Sequence, residues 1–289
     1  SPNNKVLIGD DGWLYFAGEL EQLLSPPTVI GDKECASILA NLENWRSFCR
    51  AHGGDFYAIV IPDKQSIYPE YLPNPQKQWL KGESSLDRFM SYAAKNSREH
   101  FIIDLKSDLL AEKKLGRVVY FKTDSHINYY AALRAYSLII DAIAAARPDF
   151  NPCGLSDFTV KPKNYSGDLV EFQLGIVRLF TEQVDSFVPN KERTARLDKI
   201  AENEPFHGFR HIKPIEISSN AIRKRGTALV VRDSQYKEII PNFSEHFNRV
   251  IYLHQAEDRS MIKKVIEKER PDIVISESVE RGLVPYLSQ

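Results

Sequence analysis

Four stretches of this chain are near-continuous apolar runs: DFYAIVIP at 55–62, TALVVRD at 227–233, RVIYLH at 249–254 and DIVISES at 272–278. A strand that faces water on one side alternates apolar and polar residues. A run without alternation has to be buried on both faces, which marks a parallel sheet covered by helices. Between the runs lie segments of helical periodicity. In ECASILANLENWRSFCRAHGG, Ile38, Leu42, Trp45 and Cys49 recur on one face, and Gly53-Gly54 supplies a stop. Further helices are predicted near 84–97, over 127–146, over 236–247 and over 258–269, with added strands HFIIDL at 100–105 and VVYF at 118–121. Helix 127–146 carries Ala131, Ala135, Leu138, Ala142 and Ala145 on one stripe.

This alternation predicts a three-layer α/β fold with a mainly parallel sheet. With 289 residues, 43% of them hydrophobic, the chain is long enough to bury one large core, and a single domain over 1–289 is expected. The Asp-Asp-Gly of IGDDGWLYF reads as a hairpin turn near the start. Residues 151–226 are polar and irregular, and are read as an insertion of short strands and loops over the sheet.

Several function classes are disfavoured by composition. The 38 Lys and Arg nearly balance the 39 Asp and Glu, so no global field draws nucleic acid or an anionic membrane. Cys35, Cys49 and Cys153 form no CxxC and no Cys/His cluster with zinc spacing, so no metal site and no cofactor are expected. Cys35 and Cys49 would lie ~21 Å apart along one helix at ~1.5 Å per residue, too far to pair with each other, which leaves Cys153 as the only partner for either. His207 and His211 in FHGFRH have no carboxylate ligand in sequence nearby, and the short basic cluster RKRG at 223–226 reads as a solvated turn. The chain opens at Ser1 rather than methionine, which is compatible with a removed export signal or N-terminal membrane anchor.

Two strand ends carry the chemistry. The run TALVVRD leads into Ser234 and then a helical segment. A serine in such a sharp turn exposes its hydroxyl above the sheet, beside the leading N–H groups of the helix. Serine needs a base within hydrogen-bond reach and a third group to orient that base. In VVYFKTDSHINYY, Asp124 stands two residues before His126 at another strand end. An Asp so placed can accept from the imidazole Nδ1–H, fix the tautomer and stabilise the imidazolium, leaving Nε2 for the serine. Asp124 or Ser125 could instead merely cap the following helix, and Asp233 or Ser234 could cap helix 236–247. Lys64 and Tyr68 in PDKQSIYPE follow a third strand end and are candidates for substrate binding in the same crevice. Asn128 or the Ser234 N–H are candidates for an oxyanion hole.

The ordered series DDGWLYF, VIPDKQSIYPEYLP, YFKTDSHINYYAALRAY, YSGDL, VVRDSQYKEIIPNFSEHFNRVIYL and RPDIVISESVERGL resembles the SGNH-hydrolase-like polysaccharide O-acetyltransferases, the alginate O-acetyltransferase AlgJ/AlgX group. The resemblance runs from about residue 7 to 283. It implies a circularly permuted SGNH fold in which Asp124 and His126 precede Ser234, with Ser234 carrying acetyl, His126 acting as base then acid and Asp124 orienting it. It also implies an exported polysaccharide substrate, a membrane-bound O-acyltransferase as acetyl source, and a periplasmic or extracytoplasmic location. Without a following carbohydrate-binding module, the chain looks more like AlgJ than AlgX.

Three positions depart from the family pattern. Arg232 stands where a small residue is common, and could narrow the site or contact an anionic substrate. Ile127 follows the histidine and Gln235 follows the serine, where aromatics are usual. The reading is therefore a serine-dependent O-acetyltransferase or acetylesterase. The alternative is a catalytically degenerate polysaccharide-binding scaffold of an acetylation complex. A plain nucleotide-binding sheet is weaker, since neither GxGxxG nor GxxxxGK[ST] occurs.

Overall fold

The structure is a computed structural model that describes residues 6–17, 28–173, 180–222 and 225–287. Arg223 and Lys224 of the basic cluster lie outside them. The strands are β1 (Val6–Ile8), β2 (Leu14–Phe16), β3 (Asp55–Ile61), β4 (Ile102–Ile103), β5 (Phe158–Tyr165), β6 (Glu182–Pro189), β7 (Arg196–Ile200), β8 (Ile215–Ser219), β9 (Thr227–Arg232), β10 (Arg249–His254) and β11 (Ile273–Val279). The principal helices are α1 (Asp32–Ala51), α2 (Ser85–Asn96), α3 (Leu105–Lys114), α4 (Tyr129–Ala144) and α5 (Arg259–Glu269).

Seven strands form the central sheet in the order β4-β3-β11-β9-β10-β8-β7. The first five run parallel, and β8 and β7 continue the sheet antiparallel. The four apolar runs become β3, β9, β10 and β11, and Ala58, Ile59, Val60, Leu229, Val230 and Ile275 are fully buried, as strands covered on both faces must be. Arg259 of α5 donates to Asn41 of α1 at 3.1 Å, and Arg134 of α4 donates to Asp108 of α3 at 3.1 Å, pinning the helices in pairs. Within residues 151–226, β5 and β6 make a separate antiparallel ribbon, whereas β7 and β8 belong to the central sheet.

Three local expectations are corrected. The segment 118–121 is not a sheet strand; it makes one bridge, Tyr120 to Ile127. Val119, Tyr120 and Phe121 are buried because the segment crosses the core, its backbone tied by Asn128 N donating to Val119 O and Leu14 N donating to Lys122 O. The continuous helix over 236–247 is instead three short turns, Ser234–Glu238, Ile240–Phe243 and Ser244–His246. Pro241 has no N–H to donate and its ring clashes with the carbonyl four residues earlier, so one long helix cannot run through it. The helix expected from 127 begins at Tyr129 with Asn128 as its cap, Asn128 Oδ1 accepting from Ala131 N at 3.0 Å. Asp124 and Ser125 are thereby released from capping.

The cysteines Cys35, Cys49 and Cys153 are all free thiols. His207 pairs with Glu269 at 2.8 Å, and His211 accepts from Phe206 N at 2.9 Å, so the two histidines serve separate contacts.

Candidate active site

Where β9 ends, Asp233 takes an extended conformation and its Oδ1 accepts from Gln235 N at 2.7 Å, turning the chain sharply. Ser234 is the first residue of that turn and is exposed, whereas its neighbours Asp233 and Gln235 are buried. The loop of Asp124 and His126 arrives opposite. His126 Nε2 lies 2.9 Å from Ser234 Oγ, and His126 Nδ1 lies 2.6 Å from Asp124 Oδ1. Residues 108 positions apart in the chain are thus joined in a serine–imidazole–carboxylate relay.

Asp124 is 4% exposed and surrounded by donors. Oδ1 also accepts from His126 N at 2.9 Å, while Oδ2 accepts from Tyr165 OH at 2.6 Å and Asp168 N at 3.0 Å. Burial opposes charge on this carboxyl, but His126, Tyr165 and the Asp168 N–H outweigh it and hold Asp124 well below the usual carboxylate range. For His126, burial disfavours the imidazolium, yet the Asp124 hydrogen bond and charge, with Asp168 and Asp233 behind it, raise the pKa above its ordinary value. The ring is therefore a base strengthened by its surroundings.

The segment YSGDL wraps the back of Asp124. At Gly167 a Cβ would sit 2.4 Å from Thr123 C and O and 2.5 Å from Asp124 Cβ, so only glycine lets the two loops approach. Asp168 accepts from Ser125 N at 2.7 Å and Ser125 Oγ at 2.6 Å. Burial and the charge of Asp124 push the Asp168 carboxyl up. Glu182 of β6 accepts from Lys122 N at 2.9 Å and from Thr123 N and Oγ1, each at 2.7 Å. Tyr165, Gly167, Asp168 and Glu182 were not assigned roles from sequence, although YSGDL was among the motifs that carried the family resemblance.

Asp124, His126 and Asp168 each offer a ligand atom, all within 4.8 Å of one another. Both Asp124 oxygens already accept two hydrogen bonds and His126 Nε2 is directed at Ser234, so a cation would have to break the relay to bind.

A sequence model of the family described as SGNH hydrolase-like domain, acetyltransferase AlgX, matches residues 6–204. The chain belongs to the AlgX family. The match includes Asp124 and His126 and stops short of Ser234. Bacillus cereus PatB1 superposes with a TM-score of 0.71 at 16% identity, covering 98% of this chain and 98% of that one. The O-acetyltransferase domain of Pseudomonas putida AlgJ gives 0.56 at 18% identity over 96% and 92% of the two chains. Pseudomonas aeruginosa AlgX gives 0.54 at 15% identity over 98% and 66%. No curated protein sequence matches the chain. The fold is SGNH-hydrolase-like.

Around the relay of this AlgX-family domain, the candidates Lys64, Tyr68, Asn128, Arg232 and Gln235, weighed from sequence for substrate, oxyanion or family-pattern roles, are all engaged within the protein. Gln235 is 2% exposed; its Oε1 accepts from Ile127 N at 3.1 Å and its Nε2 donates to Ser125 O at 3.0 Å. It clamps the His126 loop onto the Ser234 turn. Arg232 turns away along the sheet, pairing with Glu216 of β8 and donating to Asp233 O at 2.9 Å, so it neither narrows the crevice nor offers a free cation. Asn128 Nδ2 donates to Val118 O at 2.7 Å, which takes it out of the oxyanion role. Tyr68 is buried, its hydroxyl accepting from Val119 N at 3.0 Å.

Lys64 is buried rather than solvated, and its ammonium donates to Leu14 O at 2.6 Å, Lys122 O at 2.9 Å and Asp124 O at 3.0 Å. Under Ser234, Asp233 N donates to Glu277 Oε2 at 2.9 Å. Burial, followed by the charge of Asp233, pushes the 1% exposed Glu277 carboxyl well above its ordinary value, favouring the protonated form.

A groove of about 770 Å³ flanks the His126 loop, lined among others by Tyr120, Thr123, Asn128, Val160 and Phe187. Among the described residues no helix is long and apolar enough to cross a membrane.

Proposed function

We propose that this domain is a serine-dependent O-acetyltransferase with acetylesterase capacity, acting on an exported or cell-envelope polysaccharide through acetyl-Ser234. The observation that carries the reading is the continuous relay from Ser234 Oγ through His126 to Asp124, at 2.9 and 2.6 Å. In the first half-reaction His126 Nε2 takes the Ser234 proton as Oγ forms a bond to the acetyl carbonyl carbon. The tetrahedral intermediate collapses, the bond to the donor oxygen breaks, and the donor leaves with the proton from Nε2. In the second half, His126 removes the proton of an acceptor hydroxyl, whose oxygen attacks the acetyl carbon. Ser234 Oγ departs and recovers that proton. A sugar hydroxyl as acceptor gives transfer, and water gives hydrolysis.

Asp124 holds the Nδ1–H tautomer and stabilises the imidazolium formed in each half. Of the oxyanion donors considered, the Ser234 N–H at the head of its turn is the one left, since Asn128 is a cap. Arg232 and Gln235, the departures that suggested a degenerate member, both have roles in holding the turn, which supports catalysis over scaffolding. The groove lined by Thr123 and Asn128, on either side of His126 in the chain, offers a polymer an approach to this loop. Membership in a family described as acetyltransferase AlgX supports the acetyl group as cargo; a membrane-bound O-acyltransferase as its source and a periplasmic location belong to the same proposal.

Purified protein is assayed for p-nitrophenyl acetate hydrolysis. Ser234→Ala and His126→Ala each lower turnover by at least about a thousandfold with the fold intact. Retained turnover in either variant rules the relay out as the catalytic apparatus.

A further inference from the structure

We propose that Lys64 is a positioning residue: its buried ammonium fixes the backbone of Asp124, and through it the carboxylate that orients His126. The inference rests on the proposed role of the relay and adds a residue to it. An ammonium has three donors, and all three are used here, on Leu14 O, Lys122 O and Asp124 O. Those carbonyls come from β2 and from two places in the loop that ends in His126, so one nitrogen joins the N-terminal hairpin to the relay. A neutral amine has two N–H donors and would give up one of the three contacts.

The surroundings are built for a cation. The Trp13 and Tyr15 rings lie 5.2 and 5.4 Å from the ammonium. Glu182, Asp124 and Asp168 favour its charge. The Lys122 ammonium shares the Trp13 ring at 5.8 Å. Burial pushes Lys64 down to about 7, so the tripod is poised to lose a leg within the neutral range.

Lys64 is also one of several grips on the same short loop. Glu182 takes the Lys122 and Thr123 N–H groups, and Tyr165 with Asp168 takes the Asp124 side chain. Among the described residues, Lys64 is the donor that holds the Asp124 carbonyl. A displacement of the carbonyl carries Oδ1 with it, and Oδ1 bonds both His126 N and Nδ1. A misplacement of about 1 Å in such a group costs on the order of a hundredfold in rate.

The test is Lys64→Met, which keeps the length of the side chain and removes the donors. It is examined by p-nitrophenyl acetate kinetics, by NMR titration of His126 and by thermal melting. The expected result is kcat lower by about ten- to a hundredfold with KM changed by less than about threefold, and a His126 pKa that moves away from its wild-type value. A variant that melts earlier but keeps both kcat and the His126 pKa overturns the proposal, because Lys64 would then be structural only. The titration does not depend on turnover, so failure of the proposed reaction and failure of the Lys64 proposal are read separately. Should Lys64→Met not fold, the wild-type protein is titrated while the Lys64 Nζ and His126 Nδ1–H signals are followed. Both changing together supports the coupling, and an Nδ1–H signal indifferent to Lys64 deprotonation overturns it.

Discussion

The Tyr165 hydroxyl donates to Asp124 Oδ2 at 2.6 Å, the oxygen not used by His126. Tyr165 stands at the end of β5, in the ribbon that lies apart from the central sheet, and stacks on Phe121 with ring centroids 4.3 Å apart. The relay therefore depends on an element with no strand pairing to the sheet that carries Ser234.

Tyr165→Phe keeps the ring stack and removes the proton. Asp124 then shares its charge with one donor fewer, so it binds the His126 proton more strongly and His126 becomes harder to deprotonate. The expected outcome is kcat lower by roughly tenfold and the acid limb of the rate profile moved to higher pH. Steady-state kinetics across pH checks this, and an unmoved limb counts against the link.

Gln235→Ala removes both ends of the clamp between the Ser234 turn and the His126 loop. Ile127 N, which is buried, loses its acceptor. Stability falls by about 1–3 kcal/mol in denaturant unfolding, the cost of leaving a buried donor unpaired. Turnover falls with it, since the Ser234 Oγ to His126 Nε2 distance is no longer fixed. Unchanged stability would show that the clamp contributes nothing.

Much of this architecture is legible in the sequence, and what escapes it has a physical cause. Strands β3, β9, β10 and β11 were readable because burial on both faces forces unbroken apolar runs. The run at 118–121 looks the same for another reason: it is buried as a core-crossing segment, and apolarity reports burial rather than hydrogen-bond partners. Pro241 was visible but underweighted against the helical pattern around it. Asp124, His126 and Ser234 stood out because each sits at a junction of strand-like and helix-like sequence. Lys64 stood out only as a candidate for substrate binding, and its grip on the loop was hidden because its acceptors are 50, 58 and 60 residues away.

The pH dependence follows from the shifted groups. His126 must be neutral to accept the serine proton, and its pKa is raised above the ordinary 6.5. The rate, kcat/KM, should therefore rise with pH through a midpoint above about 6.5, and a midpoint at or below that value contradicts the assignment. For stability the signs differ by group. The raised pKa values of His126 and Glu277 contribute stability at low pH that is lost as pH rises through the folded-state values. The lowered pKa of Asp124 contributes above the ordinary 3.8 and is lost as pH falls below it. Thermal melts should accordingly decline as pH rises through the raised folded-state value of Glu277, where it ionises beside Asp233, and Glu277→Gln should flatten that decline.

The most direct measurement is the intact mass of the protein quenched in acid during turnover of p-nitrophenyl acetate, followed by peptide mapping. The predicted result is a mass increase of one acetyl group on the wild type, located on Ser234, and its absence from Ser234→Ala. An acetyl adduct that forms equally on Ser234→Ala, or that maps to another residue, contradicts the account.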